Sequence, residues 1–387
     1  MTMDKINYEK LLMIPGPTMV PHKVLSAMAN PIIGHRTKEY GILLEDTINK
    51  MKKVFKTEND VYLITGSGTS AMDMAISNTV DKGDKVLTIT TGNFGERFTK
   101  ICETYKGNVI KLEKDWGDCA NPEEVKNILD ENPDIKVVTI VHNETSTGTR
   151  NPIKEIGKVV KNYDALYIVD TVSSLGGDYV DVDKFNIDIC VTGSQKCIAA
   201  PPGMAAISVS EKAWEVIKST EKKSFYLDLE AYKKRFETKK ETPYTPSVTL
   251  TYAMNVALDI VLEEGLENRY KRHEKLAKGT VAGINALGIE LFAKDYARSV
   301  TVTSAKYPEG IVDSEFRGLL SNKYNIVIAG GQGQVSGKIF RIGHMGECKE
   351  HHVLGTLAAI TLCLKELGYE PEDDGVEAAI EVFKEME

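Results

Sequence analysis

The sequence predicts an α/β fold: a large domain on a mostly parallel sheet, followed by a small C-terminal α+β domain. Three observations point there. Strand-like runs alternate with longer helix-like segments. Runs such as VVTIV and LYIV are apolar at consecutive positions, as in strands covered on both faces of a parallel sheet. The 387 residues suffice for two domains and a sizeable core. In chain order the strand-like runs are DVYLIT (60–65), DKVLTIT (84–90), IKVVTIVH (135–142), ALYIVD (165–170) and IDICVTG (187–193). The sheet core therefore spans roughly residues 17–250. Segments 255–265 and 268–287 read as helices, the second charge-rich and suited to a connection. The tail offers strands at SVTVTSA (299–305), YNIVIAG (324–330) and KIFRIGH (338–344), then a helix over 351–368. The division that follows is an N-terminal segment 1–16, a large domain 17–265 and a small domain 266–387.

Composition narrows the function classes. Hydrophobic content of 42% with 27% charged residues is ordinary for a globular chain. A net charge of −8, with no Lys/Arg stripe interleaved with aromatics, argues against nucleic acid. No apolar run reaches bilayer-spanning length and the opening MTMDKINYEK has no apolar signal core, so no membrane association and a cytoplasmic location are expected. The six cysteines form no CxxC pair and lack zinc-ligand spacing, which predicts reduced thiols and no metal site.

Several strand ends carry polar or aromatic candidates. LITGSGTSAMDMAISN (63–78) runs from strand through a Gly/Ser/Thr turn into helix, so the N–H groups of Ser67, Gly68 and Thr69 either cradle a phosphate or start an ordinary helix. Phe94, between glycines in TGNFGERF, either stacks on a ligand ring or belongs to the core. Asn143 and Thr145 in VHNETSTGTRNP can donate to a ring substituent. Asp170 closes ALYIVD where open α/β sheets bind ligands; it is either a helix cap or the partner of a protonated ring nitrogen. Lys196, in DICVTGSQKCIAAPPG, is either one more solvated lysine or a desolvated amine able to form a Schiff base with an aldehyde cofactor. Cys197 reads as a small hydrophobe behind that loop.

With GSGT (66–69), GNFGER (92–97), HNETSTG (142–148), VDTVSSLGG (169–177), GSQKCIAAPPG (193–203), GLENRYKRH (265–273) and GKIFRIGHMG (337–346) in this order, the chain resembles the class V aminotransferases, a branch of the fold-type I pyridoxal phosphate enzymes. The likeness runs from PGPT (15–18) nearly to the end and is strongest to alanine–glyoxylate and serine–pyruvate aminotransferases, including microbial relatives that use aspartate or phosphoserine. The resemblance implies pyridoxal 5'-phosphate as cofactor. Lys196 would hold it and shuttle the substrate proton, and Asp170 would bind the pyridine nitrogen. Phe94 would stack where many relatives use Trp. Ser67, Gly68, Thr69 and Gln195 would hold the phosphate, Thr69 replacing a histidine common in animal relatives. Thr145 and Val172 would lie at the ring. Thr245, with Thr242 where some relatives have tyrosine, would reach the phosphate of a neighbouring subunit. Arg341 would bind the substrate α-carboxylate beside Gly16. His35 and Arg36, in IIGHRTKEY, would either meet a substrate anion or form a structural ion pair.

The implied activity is a ping-pong transfer of an amino group from a small amino acid to a 2-oxo acid such as glyoxylate, pyruvate or 2-oxoglutarate, in a homodimer with shared sites. The alternatives are a cysteine desulfurase or related lyase and a non-catalytic binding protein. A desulfurase needs a mobile cysteine, which AGGQGQVSGK (329–338) lacks.

Overall fold

The computed structural model describes residues 9–386; the first eight residues of the expected N-terminal segment lie outside the described residues. After a short strand β1 (Leu11–Leu12) come helices α1 (His22–Ala27) and α2 (Lys38–Phe55). Tyr40, Leu44, Ile48, Met51 and Phe55 on α2 repeat at helical spacing and are all buried, so this face packs into the core. There follow β2 (Asp60–Thr65), α3 (Gly68–Ser77), β3 (Lys85–Thr90), α4 (Asn93–Thr104), β4 (Asn108–Glu113) and β5 (Ile135–Val141). A two-strand clip, β6 (Asn143–Glu144) with β7 (Thr149–Arg150), precedes β8 (Leu166–Asp170), β9 (Ile189–Gly193) and β10 (Met204–Val209).

These strands form a seven-stranded sheet in the order β2-β10-β9-β8-β5-β3-β4. Only β10 runs against its neighbours, so every other strand shares one direction. The loops after β2, β3, β5, β8 and β9 therefore all open at one edge, the edge at which open α/β sheets bind ligands. The five strand-like runs of the sequence are all present. Two strands are additional. β10 lies in the sheet interior and β4 at its margin, and neither shows a long apolar run. One apolar cluster centres on Leu63, Leu87, Val138 and Val169, the other on Ile64, Val86, Val137 and Ile168; these pairs are neighbours along their strands and so point to opposite faces.

Helix Val248–Glu264 begins seven residues before the expected start, and Leu266–Ala286 follows across Gly265. Beyond it stands a three-stranded antiparallel sheet, β11 (Val302–Lys306), β14 (Ile339–Gly343) and β13 (Ala329–Gly330) in that spatial order, while β12 (Ile326–Val327) pairs with β1. Segment 324–330 thus splits into two short strands rather than one. The N-terminal stretch crosses between the sheets: Met13 belongs to the C-terminal apolar cluster and its carbonyl accepts from the Gly343 N–H at 2.9 Å. That path delivers Pro15 and Gly16 to the ligand edge.

Candidate active site

Lys196 lies on the turn after β9 and is 9% exposed. Burial pulls its amine down to about 8 despite the nearby Asp170 and Glu144. Its Nζ donates to the Pro15 carbonyl, and its own carbonyl accepts from Thr18 Oγ1 at 3.0 Å. A Cβ added to Gly16 would stand 2.5 Å from Lys196 Cδ, and Gly16 has a positive φ of 110°, so glycine is required on both counts. A lysine desolvated in this way is suited to carbonyl chemistry.

Asp170, at the end of β8, is 2% exposed. Burial raises its carboxyl to about 6, against a hydrogen bond of 2.7 Å from the Val172 N–H to Oδ1. A cationic ring nitrogen would relieve that desolvation. Val172 also lies against the turn after β2: a Cβ on Gly68 would meet Val172 Cγ2 at 2.6 Å.

The turn after β2 leads directly into α3, whose N-cap Ser67 makes no side-chain cap. The first N–H groups of a helix have no intrahelical partner, so this end presents donors and a partial positive charge. Gln195 belongs with them. A Cβ on Gly193 would lie 2.9 Å from Gln195 Oε1 and 3.5 Å from the Gly68 nitrogen, and Gln195 Oε1 is buried without a partner. The uncapped helix start fits a phosphate group, to which the NH2 of Gln195, rather than its unpartnered Oε1, could donate.

Arg341 sits on β14 and is 4% exposed. Its Nε and Nη2 donate to the Gly330 carbonyl at 2.9 and 2.6 Å, and Nη1 donates to the Thr145 carbonyl at 2.8 Å. Among the described residues it has no acidic partner within ion-pair distance, and burial lowers it to about 10. Two of its five N–H groups remain. A buried guanidinium without an acidic partner is suited to receive a carboxylate.

Of the ring-side candidates, Phe94 occupies the first turn of α4, half-buried. Thr145 is buried and contributes its carbonyl to Arg341. The Asn143 amide donates to Ser173 Oγ and Thr301 Oγ1, both at 2.8 Å, so its donors are spent within the protein.

A second group lies apart, with no hydrogen bond or ion pair to Lys196 among the described residues. Arg36 pairs with Glu241 at 3.0 Å and donates to the carbonyls of Thr242 and Pro243. His35 Nε2 is 3.4 Å from Thr245 Oγ1, and Thr242 Oγ1 donates to the Tyr244 carbonyl at 2.7 Å.

Sequence reasoning missed Glu144 and Arg269. Glu144 is fully buried and accepts from the N–H groups of Phe94 and Gly95 at 2.9 and 3.0 Å and from Ser146 Oγ at 2.5 Å, clamping the start of α4. Arg269, also fully buried, pairs with Glu264 and Glu347 and donates to the Cys197 carbonyl at 2.7 Å, next to Lys196. Both stand in motifs quoted above; the small residues that follow Glu144 were an available signal, whereas Arg269 sits among charged and bulky neighbours that give none.

Cys197 and Cys348 are buried free thiols. Cys197 is buried and burial pushes its thiol up to about 12; Cys348 is likewise pushed up to about 12, its Sγ 3.9 Å from Met13 Sδ. Among the described residues no His/Cys/Asp/Glu cluster could hold a metal, and no helix is long and apolar enough to cross a membrane.

The family model described as Aminotransferase class-V matches residues 11–349. An uncharacterized aminotransferase of Methanocaldococcus jannaschii is 74% identical over 376 residues, covering 97% of this chain and 98% of that one. The soluble hydrogenase 42 kDa subunit of Anabaena cylindrica is 39% identical over 378 residues, covering 96% and 98%. The crystal structure of ureidoglycine-glyoxylate aminotransferase from Bacillus subtilis superposes with a TM-score of 0.95 at 34% identity, covering 98% of this chain and 99% of that one.

Proposed function

Because this chain belongs to the class-V aminotransferases, with the fold-type I architecture of that family, it is an aminotransferase, and we propose that it uses pyridoxal 5'-phosphate to move the amino group of a small amino acid (alanine, serine, aspartate or phosphoserine) onto a 2-oxo acid such as glyoxylate, pyruvate or 2-oxoglutarate by a ping-pong route. The observation that carries this reading is the meeting of Lys196, Asp170 and Arg341 at one sheet edge, each buried and each with its proton affinity shifted by that burial. Perturbed groups of complementary role in one place mark a catalytic site.

When bound, pyridoxal phosphate supplies an electron sink for charge developing at the substrate Cα. This chain's residues would do the rest. The first turn of α3 with Ser67, Gly68, Thr69 and Gln195 would bind the phosphate, Asp170 would hold a proton on the ring nitrogen, and Phe94, Thr145 and Val172 would orient the ring. Arg341 would fix the α-carboxylate over Gly16. The Lys196 amine, brought down to about 8 by burial, would move the proton at Cα.

Glyoxylate is the favoured acceptor, since the Bacillus neighbour is named for it. Among donors, the pairing of Arg36 with Glu241 favours neutral alanine or serine over anionic aspartate or phosphoserine, because that cation is already neutralised. Thr242 and Thr245 would serve a neighbouring subunit in a homodimer. The exposed side chains of Ile32, Ile42 and Phe225 supply apolar surface for such a partner. Free cysteines suit a reducing, cytoplasmic setting.

The test is a half-reaction screen: each amino acid is added to cofactor-loaded protein and the visible absorbance followed. Loss of absorbance with alanine or serine, restored by glyoxylate, is expected. Absorbance unmoved by any amino acid would overturn the reading.

A further inference from the structure

The guanidinium of Arg97 packs against Phe94 and Thr69 and, among the described residues, belongs to no ion pair. It stands three residues after Phe94 on α4, one helical turn on, with its central carbon 4.5 Å from the centroid of the Phe94 ring. Its Nη1 donates to Thr69 Oγ1 at 2.8 Å. Among the described residues no carboxylate lies within ion-pair distance of it. This half-buried cation, whose charge reaches Asp170 through space without an ion-pair contact, bridges a ring and a hydroxyl.

The hydrogen-bond chemistry defines its task. Arginine has no acceptor atom, so at this contact the Thr69 hydroxyl can only accept. Its own hydrogen is then free to be given elsewhere. Thr69 stands in the first turn of α3, where no side chain caps the helix; the neighbouring Ser70 hydroxyl is already spent on the Ser67 carbonyl at 2.6 Å. Meanwhile the guanidinium stands over one face of Phe94 and holds the ring by cation–π contact.

We propose that Arg97 is a positioning residue that ties the phosphate half of the site to the ring half: it compels Thr69 to donate its hydroxyl hydrogen to a ligand phosphate and props Phe94 for stacking. This rests on the reading of the site as one for pyridoxal phosphate. It also accounts for a threonine at this position, since a hydroxyl can accept from Arg97 and donate to the phosphate at once.

The experiment titrates apoprotein with pyridoxal 5'-phosphate and, separately, with pyridoxal, which has the ring and aldehyde but no phosphate. Wild-type protein failing to bind pyridoxal 5'-phosphate would overturn the site reading and the proposal with it. If it binds, the variants test Arg97 alone. Arg97→Met and Thr69→Val should each weaken pyridoxal 5'-phosphate about ten-fold or more, as for loss of a charge-assisted bond, while pyridoxal loses distinctly less. The double variant should lose no more phosphate preference than Thr69→Val alone, and Thr69→Ser should retain it. Equal weakening of the two ligands by Arg97→Met, additive losses in the double variant, or no change would overturn the role of Arg97. Should thermal melts show Arg97→Met unfolded, Arg97→Lys takes its place. Keeping a donor for Thr69 but losing the planar stack, it should preserve the phosphate preference and weaken both ligands alike; loss of that preference would count against the proposal.

Discussion

Replacing Arg341 by lysine keeps the charge and removes the fork, and the size of the loss follows from how the guanidinium is spent. Of its five N–H groups, three are engaged by the carbonyls of Gly330 and Thr145, leaving two for a substrate carboxylate. An ammonium has three N–H groups on a shorter, narrower head. Satisfying the same two carbonyls leaves one. The substitution therefore costs one charge-assisted hydrogen bond, about 1.5–3 kcal/mol, in a buried site where solvent does not screen it. At about 1.4 kcal/mol per factor of ten, kcat/KM falls roughly 10- to 150-fold. Because every amino and 2-oxo acid carries the same carboxylate, the loss is common to all substrates and to both half-reactions. Steady-state kinetics of Arg341→Lys with two donors and two acceptors measures it. Unchanged kcat/KM, or a loss confined to one substrate, would refute the assignment.

Other expectations concern the lysine and its surroundings. Burial holds the Lys196 amine near 8 instead of the ordinary ~10.4; only the neutral amine attacks an aldehyde, so reconstitution of apoprotein should accelerate as pH rises through about 8 and level off above it, whereas a rate still climbing well above that range would mean an unperturbed lysine. Gly16→Ala should lower cofactor uptake sharply with the fold intact by circular dichroism, because its Cβ would stand 2.5 Å from Lys196 Cδ; normal uptake would detach Gly16 from the site. Incubation with cysteine and dithiothreitol should release no sulfide, since the cysteines near the site are buried and protonated; robust release would favour the lyase reading.

What the sequence made legible depended on how local the signal was. Strands β5 and β8 declare themselves as unbroken apolar runs because both their faces are covered, and the motifs after them carry their site residues at strand ends. β10, MAAISV, is equally buried, yet small residues between glycine and serine give it little hydrophobic contrast. Lys196 and Asp170 could be singled out from motif context, but their altered protonation could not, since it arises from burial by residues far apart in the chain. The fate of Arg36 was likewise hidden: its partner Glu241 lies 205 residues away. Glu144 and Arg97 stood in motifs already quoted, but their roles, clamping α4 and steering a hydroxyl, exist only once the loops after β2, β3 and β5 converge.

The central claim is that Lys196 holds the cofactor, and one measurement addresses it directly. Cofactor-loaded protein is reduced with borohydride, digested and mapped by mass spectrometry. The added pyridoxyl mass should fall on the peptide containing Lys196 and vanish in Lys196→Ala. The mass on another lysine, or on none, would contradict the account.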